Sequence, residues 1–226
     1  RFTAGIRYWY DEVEAAAWEQ YTFGMPYVPG PSPDDVVVTL PYTENDTDND
    51  DVDWRLALEY DAADDVMLFA SVTQGSKSGG STLAGVVNTP SEIGVFEPES
   101  LLAYEIGIKS TWLDQRLRVN ATAFFYDYED LQVQSVSTNE NGETSVLIEN
   151  AADAENQGFE IEISAIPLDG LDFGLNIGYV DATYGDFVSG ALDQFGNIVD
   201  YSGNRIPNTP EWSASSNIQY TFAVGS

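Results

Sequence analysis

The sequence predicts an all-β chain built as an antiparallel up-and-down transmembrane β-barrel wall, and three observations carry that prediction. Apolar and polar residues alternate over long runs. Connections alternate as well, tight after one run and long and polar after the next. Aromatic residues gather towards the ends of the runs. The alternation is clearest where Leu102, Tyr104, Ile106, Ile108 and Trp112 fall on one side and Ala103, Glu105, Gly107, Lys109 and Thr111 on the other. A period of two places successive side chains on opposite faces of a strand.

Eight strands follow in order. Arg1–Tyr10 opens, with Phe2, Ala4, Ile6, Tyr8 and Tyr10 on one face. Trp54–Asp61 aligns Trp54, Leu56, Leu58 and Tyr60, and Val66–Gly75 aligns Val66, Leu68, Ala70 and Val72. Leu101–Trp112 is the fourth, and Leu117–Val136 sets Leu117, Val119, Ala121, Ala123 and Phe125 together. Ser145–Ile166 carries Phe159, Ile161, Ile163 and Ala165 opposite Gly158, Glu160, Glu162 and Ser164. Leu171–Tyr184 holds Leu171, Phe173, Leu175, Ile177 and Tyr179. Glu211–Phe222 closes the series, with Trp212, Ala214, Ile218, Tyr220 and Phe222 opposite Ser213, Ser215, Asn217, Gln219 and Thr221.

Tight turns are expected at Ala62-Ala63-Asp64-Asp65, Leu113-Asp114-Gln115-Arg116 and Leu168-Asp169-Gly170. Long connections are expected at Asp11–Asp53, Ser76–Ser100, Ser137–Glu143 and Gly185–Pro210. Short turns on one rim and long loops on the other are the organisation of an outer-membrane barrel, with the tight turns periplasmic. The first strand then runs outward. Asp11–Asp53, rich in Tyr21, Pro26, Tyr27, Pro29, Pro31 and Pro33, is the first external loop. Several runs reach the roughly 9–11 residues that cross a bilayer at a tilt. Tyr8, Trp9, Tyr10, Trp54, Tyr60, Trp112, Trp212, Tyr220 and Phe222 stand near run ends. Amphipathic rings of this kind suit the headgroup boundary.

Composition removes several function classes. With 38 acidic and 8 basic residues, a net charge of −30, the chain has no clustered Lys and Arg for a phosphate backbone. It contains no cysteine and no histidine, which removes disulfides, thiolate metal sites and His-based catalysis. No apolar run approaches the length of a membrane-spanning helix. The run Asp46-Thr47-Asp48-Asn49-Asp50-Asp51 reads as a solvated loop; it lacks the Gly and distal Glu of an EF-hand. Arg1–Tyr10 already reads as a strand, so an exported barrel is expected to begin upstream.

The stretch from Phe96 to Val133 reads Phe96-Glu97-Pro98-Glu99, then Tyr104-Glu105-Ile106-Gly107-Ile108-Lys109-Ser110. It continues as Asn120-Ala121-Thr122-Ala123-Phe124-Phe125-Tyr126-Asp127-Tyr128-Glu129-Asp130-Leu131-Gln132-Val133. This resembles the barrel of TonB-dependent outer-membrane receptors. Gly75-Ser76-Lys77-Ser78-Gly79-Gly80, Asn150-Ala151-Ala152-Asp153-Ala154 with Gly158-Phe159-Glu160, and Asn208-Thr209-Pro210-Glu211-Trp212 fit the same pattern, extending it over Trp54–Phe222. The resemblance implies about eight strands of a larger, 22-stranded barrel with an N-terminal plug. It implies uptake of a scarce nutrient (siderophore-iron, haem, cobalamin or saccharide) energised by TonB, in the bacterial outer membrane and without catalysis. Residues 1–226 would be a partial barrel, with the plug and the closing strands absent.

The implied partners are the lipid bilayer and lipopolysaccharide, a small-molecule nutrient, and the TonB complex acting through the plug, with the receptor a monomer. No catalytic, cofactor-binding, metal or ligand-contacting residue is assigned. Glu105, Lys109, Arg118, Asn120, Glu160 and Glu162 would line a polar lumen. Gly107 and Gly158 would leave room there for neighbouring groups. Two other readings stay open: a soluble acidic β-sandwich, adhesin or saccharide-binding, with Ile106, Ile108, Ile161 and Ile163 buried; and a passive porin-like or self-closed eight-stranded barrel. A glycosidase dyad at Glu160 and Glu162 is the weakest alternative.

Overall fold

The computed structural model describes residues 1–17, 20–23, 36–39, 43–83, 93–138, 144–192 and 197–222. The elements named there are strands: β1 (Phe2–Ala17), β2 (Gln20–Phe23), β3 (Val36–Thr39), β4 (Thr43–Ala63), β5 (Val66–Lys77), β6 (Gly80–Leu83), β7 (Ile93–Phe96), β8 (Glu99–Trp112), β9 (Leu117–Thr138), β10 (Thr144–Leu168), β11 (Leu171–Tyr184), β12 (Val188–Leu192), β13 (Ile198–Asp200) and β14 (Trp212–Tyr220). The eight expected strands form one antiparallel sheet in the order β1-β4-β5-β8-β9-β10-β11-β14. The other strands pair as three hairpins, β2–β3, β6–β7 and β12–β13, each lying on one of the long connections.

The tight rim is as expected. Asp64 and Asp65 join β4 to β5, residues 113–116 join β8 to β9, and Asp169-Gly170 joins β10 to β11. The last is a two-residue hairpin closed by the pair Leu168↔Leu171. Gly170 takes φ +82, which an Asp-Gly turn supplies without steric cost. A Cβ there would also strike the Thr221 carbonyl.

Register explains why the sheet has two unlike faces. Directly opposed residues in antiparallel strands share a face. One row runs through all eight strands as Phe2↔Leu58, Leu58↔Ala70, Ala70↔Ile106, Ile106↔Ala123, Ala123↔Phe159, Phe159↔Tyr179 and Tyr179↔Trp212. The neighbouring row, on the other face, runs Thr3↔Ala57, Ala57↔Ser71, Ser71↔Glu105, Glu105↔Phe124 and Phe124↔Gly158. A slip of one residue anywhere would exchange the two rows.

The apolar row is uncovered. Ile6 is 80% exposed, Ile106 64% and Ile218 72%. No large side chain among the described residues is fully buried, and the buried hydrophobic set is Ala154, Ala182 and Phe187. A sandwich would have buried Ile106 against a second sheet. Here the sheet is a single layer whose apolar face needs an apolar medium.

Rings mark both ends of that face. Phe159, Tyr179 and Trp212 form a cluster with centroids 4.9–5.9 Å apart, and at the tight-turn end Tyr220 stacks on Phe222 at 5.9 Å. Trp212 and Tyr220 bound β14, eight steps apart. At about 3.4 Å per residue and a tilt of about 40° they stand roughly 20 Å apart along the barrel axis, close to the thickness of an apolar band.

The first long connection departs from expectation. Asp11 to Ala17 continue β1, and Thr43 to Asp53 already belong to β4. The acidic run expected as a solvated loop is therefore strand, paired through Tyr10↔Asp50, Glu12↔Asp48 and Glu14↔Asp46. Asp46, Asp48 and Asp50 point to solvent, whereas Asn45, Thr47 and Asn49 are half-buried on the other face. Exposed carboxylates are weakly coupled in water, and the ladder outweighs their poor strand propensity. Pro26, Tyr27, Pro29, Pro31 and Pro33 lie outside the described residues, and Tyr21 is in β2. At 22 and 25 residues, β9 and β10 are about twice as long as a crossing requires, so their outer halves stand beyond the membrane.

Candidate functional site

The face opposite the lipid-directed row is the chemically varied one. All six residues expected to line a lumen fall on it, because register sets Lys109 opposite Asn120, Asn120 opposite Glu162, Thr111 opposite Arg118 and Thr122 opposite Glu160. Asn120 Nδ2 donates to Glu162 Oε2 at 3.2 Å. The Glu105 carboxylate accepts from the Tyr126 hydroxyl at 2.8 Å and from Ser71 at 3.4 Å. The Lys109 ammonium lies 5.5 Å from the centroid of the Phe69 ring. Arg55, Phe69, Glu105, Lys109, Tyr126 and Glu160 frame a hollow of about 430 Å³.

The two glycines do what their absent side chains suggest. A Cβ on Gly107 would lie 2.5 Å from the Phe69 ring, so that ring rests on the bare backbone. On Gly158 it would lie 2.8 Å from Phe124 Cζ and collide with the Tyr179 carbonyl. Each glycine thus makes room for an aromatic ring from the neighbouring strand. The self-closed eight-stranded barrel would need large interlocking groups at these positions.

Nearer the long-loop rim, Asp53 on β4 gathers Arg7 from β1 and Ser76 from β5. Arg7 donates to it from Nε at 3.0 Å and pairs with it through Nη2, and Ser76 donates from Oγ at 2.6 Å. Ser76 in turn accepts from Trp9 Nε1 at 2.9 Å. Asp53 is buried and Arg7 largely exposed. Asp53→Ala leaves the Ser76 hydroxyl and one face of Arg7 without their acceptor. It is expected to destabilise the wall by about 1–2 kcal/mol. Asp169→Ala, which removes a fully exposed partner of Arg116, is expected to change nothing measurable. Thermal unfolding of the two variants in one detergent checks the contrast.

The described residues between β11 and β14 form their own small core. Phe187 is 5% exposed, between Tyr184 at 5.0 Å and Tyr201 at 5.2 Å. Gly185 N donates to the Asp153 carbonyl at 2.7 Å, tying this segment to β10. Hydrogen bonds from the Ser202 side chain and from its backbone N–H hold the Asp200 carboxyl below the usual aspartate range.

The family model for the TonB dependent receptor-like beta-barrel matches residues 1–226. The chain belongs to that family. The metal-pseudopaline receptor CntO of Pseudomonas aeruginosa is 28% identical over 172 residues, covering 76% of this chain and 21% of that protein. The ferric yersiniabactin uptake receptor FyuA of Yersinia pestis has the same fold, with a TM-score of 0.68 at 20% identity over 99% of this chain and 29% of that one. The Serratia marcescens hemophore receptor HasR, solved with its hemophore HasA and heme, superposes with a TM-score of 0.67 at 13% identity, over 98% of this chain and 39% of that one. The chain spans about a fifth of the length of the curated relative it matches.

As part of a TonB-dependent receptor barrel in the bacterial outer membrane, the sheet has its apolar row against lipid and its polar row towards the lumen. Sequence alternation put the six expected lumen residues on one face, as the register does. It missed Phe69, Ser71 and Tyr126, which share their parity and were legible on that ground alone. The Arg7–Asp53–Ser76–Trp9 group joins residues up to 67 positions apart, and no local pattern announces it.

Proposed function

We propose that residues 1–226 are a partial barrel wall of a receptor that imports a metal chelate or haem, with TonB driving release through a plug domain outside this stretch. The observation that carries the reading is the two-faced sheet, an uncovered apolar row backed by a mixed face that carries the charged residues. The cargo class rests on the family and on the relatives, whose names specify a metal-pseudopaline complex, ferric yersiniabactin and heme. Among the described residues β1 and β14 each have a sheet neighbour on one side only. An open edge is not tolerated in hydrocarbon, so further strands complete the wall, and the family's plugged barrels put the number at 22. The receptor is a monomer surrounded by bilayer and lipopolysaccharide. The wall binds and guides and performs no bond chemistry.

Expression of the whole receptor in a host stripped of its own iron receptors, with and without TonB, tests this. Saturable uptake of radiolabelled iron chelate or haem that disappears without TonB is the expected result. Non-saturable flux indifferent to TonB would make the protein a passive porin. Recovery of the folded protein in buffer without detergent would overturn the membrane reading.

A further inference from the structure

Two motifs singled out in the sequence, Phe96-Glu97-Pro98-Glu99 and Asn150-Ala151-Ala152-Asp153-Ala154, meet at one point of the outer rim. The β9–β10 ladder is broken there, with register shifts between Asn150 and Ala152 and between Ala152 and Ala154. Opposite, Asp130 sits at φ +54, and its carbonyl is turned out of the ladder. Glu97 and Pro98, just before β8, belong to no strand.

Two side-chain amides replace the missing ladder bonds. Asn150 accepts from Glu97 N at 2.7 Å and donates from Nδ2 to the Glu97 carbonyl at 2.9 Å and to the Asp130 carbonyl at 2.8 Å. A primary amide carries one acceptor and two donors, so it stands in for a neighbouring strand's peptide group. Gln132 donates from Nε2 to the Ser78 carbonyl at 2.9 Å and to that of Glu97 at 3.1 Å. Its own N–H goes to Glu99 Oε2 at 2.8 Å. Ser78 lies just after β5 and Glu97 just before β8, so one side chain holds both ends of the external connection between those strands.

We propose that Asn150 and Gln132 form a rim clamp, through which residues 78–83 and 93–98 between β5 and β8 and the outer parts of strands β9 and β10 move as one body above a fixed wall. Contact with cargo at either part is then transmitted to the other. The clamp goes beyond the uptake reading and does not depend on which cargo is carried.

Hydrogen exchange on the whole receptor in detergent micelles tests it, comparing wild type with Asn150→Asp and Gln132→Ala. Asn150→Asp keeps the size and the acceptor but loses both donated bonds and sets a charge against two carbonyl oxygens. The expected result is exchange about tenfold faster in peptides covering 76–83, 93–99 and 129–134, as befits the loss of a local closing interaction. Peptides of the lower wall, such as 103–110, keep wild-type rates. Gln132→Ala, a milder change on the other strand, should accelerate the same three peptides. Acceleration confined to 93–99, or no change in either variant, would overturn the coupling. Loss of protection throughout β8 and β9 would also overturn it, because the amides would then hold up the wall itself.

Discussion

Ile106→Arg is expected to remove most of the receptor's folded form from the outer membrane, whereas Thr122→Arg on the adjacent strand is expected to be tolerated. The two positions are nearly level. Ile106 pairs with Ala123, and Thr122 precedes Ala123 in the chain. They differ in face. Ile106 lies midway along β8, 64% exposed, in the row that meets acyl chains. An arginine there sits near the bilayer midplane and costs roughly 2–4 kcal/mol. Thr122 lies on the lumen face opposite Gly107 and Glu160, where a guanidinium finds water and a carboxylate. The heat-modifiable band of each variant on unboiled gels, quantified in isolated outer membranes, reads the difference. Equal loss for both would remove the assignment of faces, and equal tolerance would mean that Ile106 does not meet lipid.

Gly158→Val is expected to be the most damaging glycine substitution in the wall. The position is crowded from two sides: the Tyr179 carbonyl of β11 lies within collision distance of a Cβ, and Phe124 of β9 presses from the other flank at 2.8 Å. A backbone carbonyl cannot rotate away as a side chain does, so β10 must separate from β11. Overpacking of this kind costs about 1–3 kcal/mol, and more where backbone is the obstacle. Gly75→Val is the matched control, because nothing stands within 4 Å of a Cβ there. Unfolding by guanidinium in detergent should show a lower midpoint for Gly158→Val and a near wild-type midpoint for Gly75→Val. Equal midpoints would mean that the β9–β10–β11 spacing is looser than the Phe124 and Tyr179 contacts imply.

Much of this chain is legible in its sequence because a membrane wall is a repetitive object. Each strand meets the same two media, lipid and lumen, so the alternation recurs in all eight strands of the sheet. The Asp-Gly pair at 169–170 announced its own turn. The acidic run at 46–51 was misread for a definite reason. Its residues are poor strand formers, and the partner that makes them a strand, residues 9–14, lies more than thirty positions away.

The sequence by itself therefore determined the strands of the wall, the face each side chain takes, the tight rim and the loop rim, since these follow from a period of two and from turn chemistry. Only the tertiary structure decided how far β1 and β4 climb beyond the membrane, that Phe69 rests on Gly107, and that Asn150 closes on Glu97 from 53 residues away. Those features depend on which strand lies beside which and in what register. Register is settled by the fit of the whole sheet, and no window along the chain contains it.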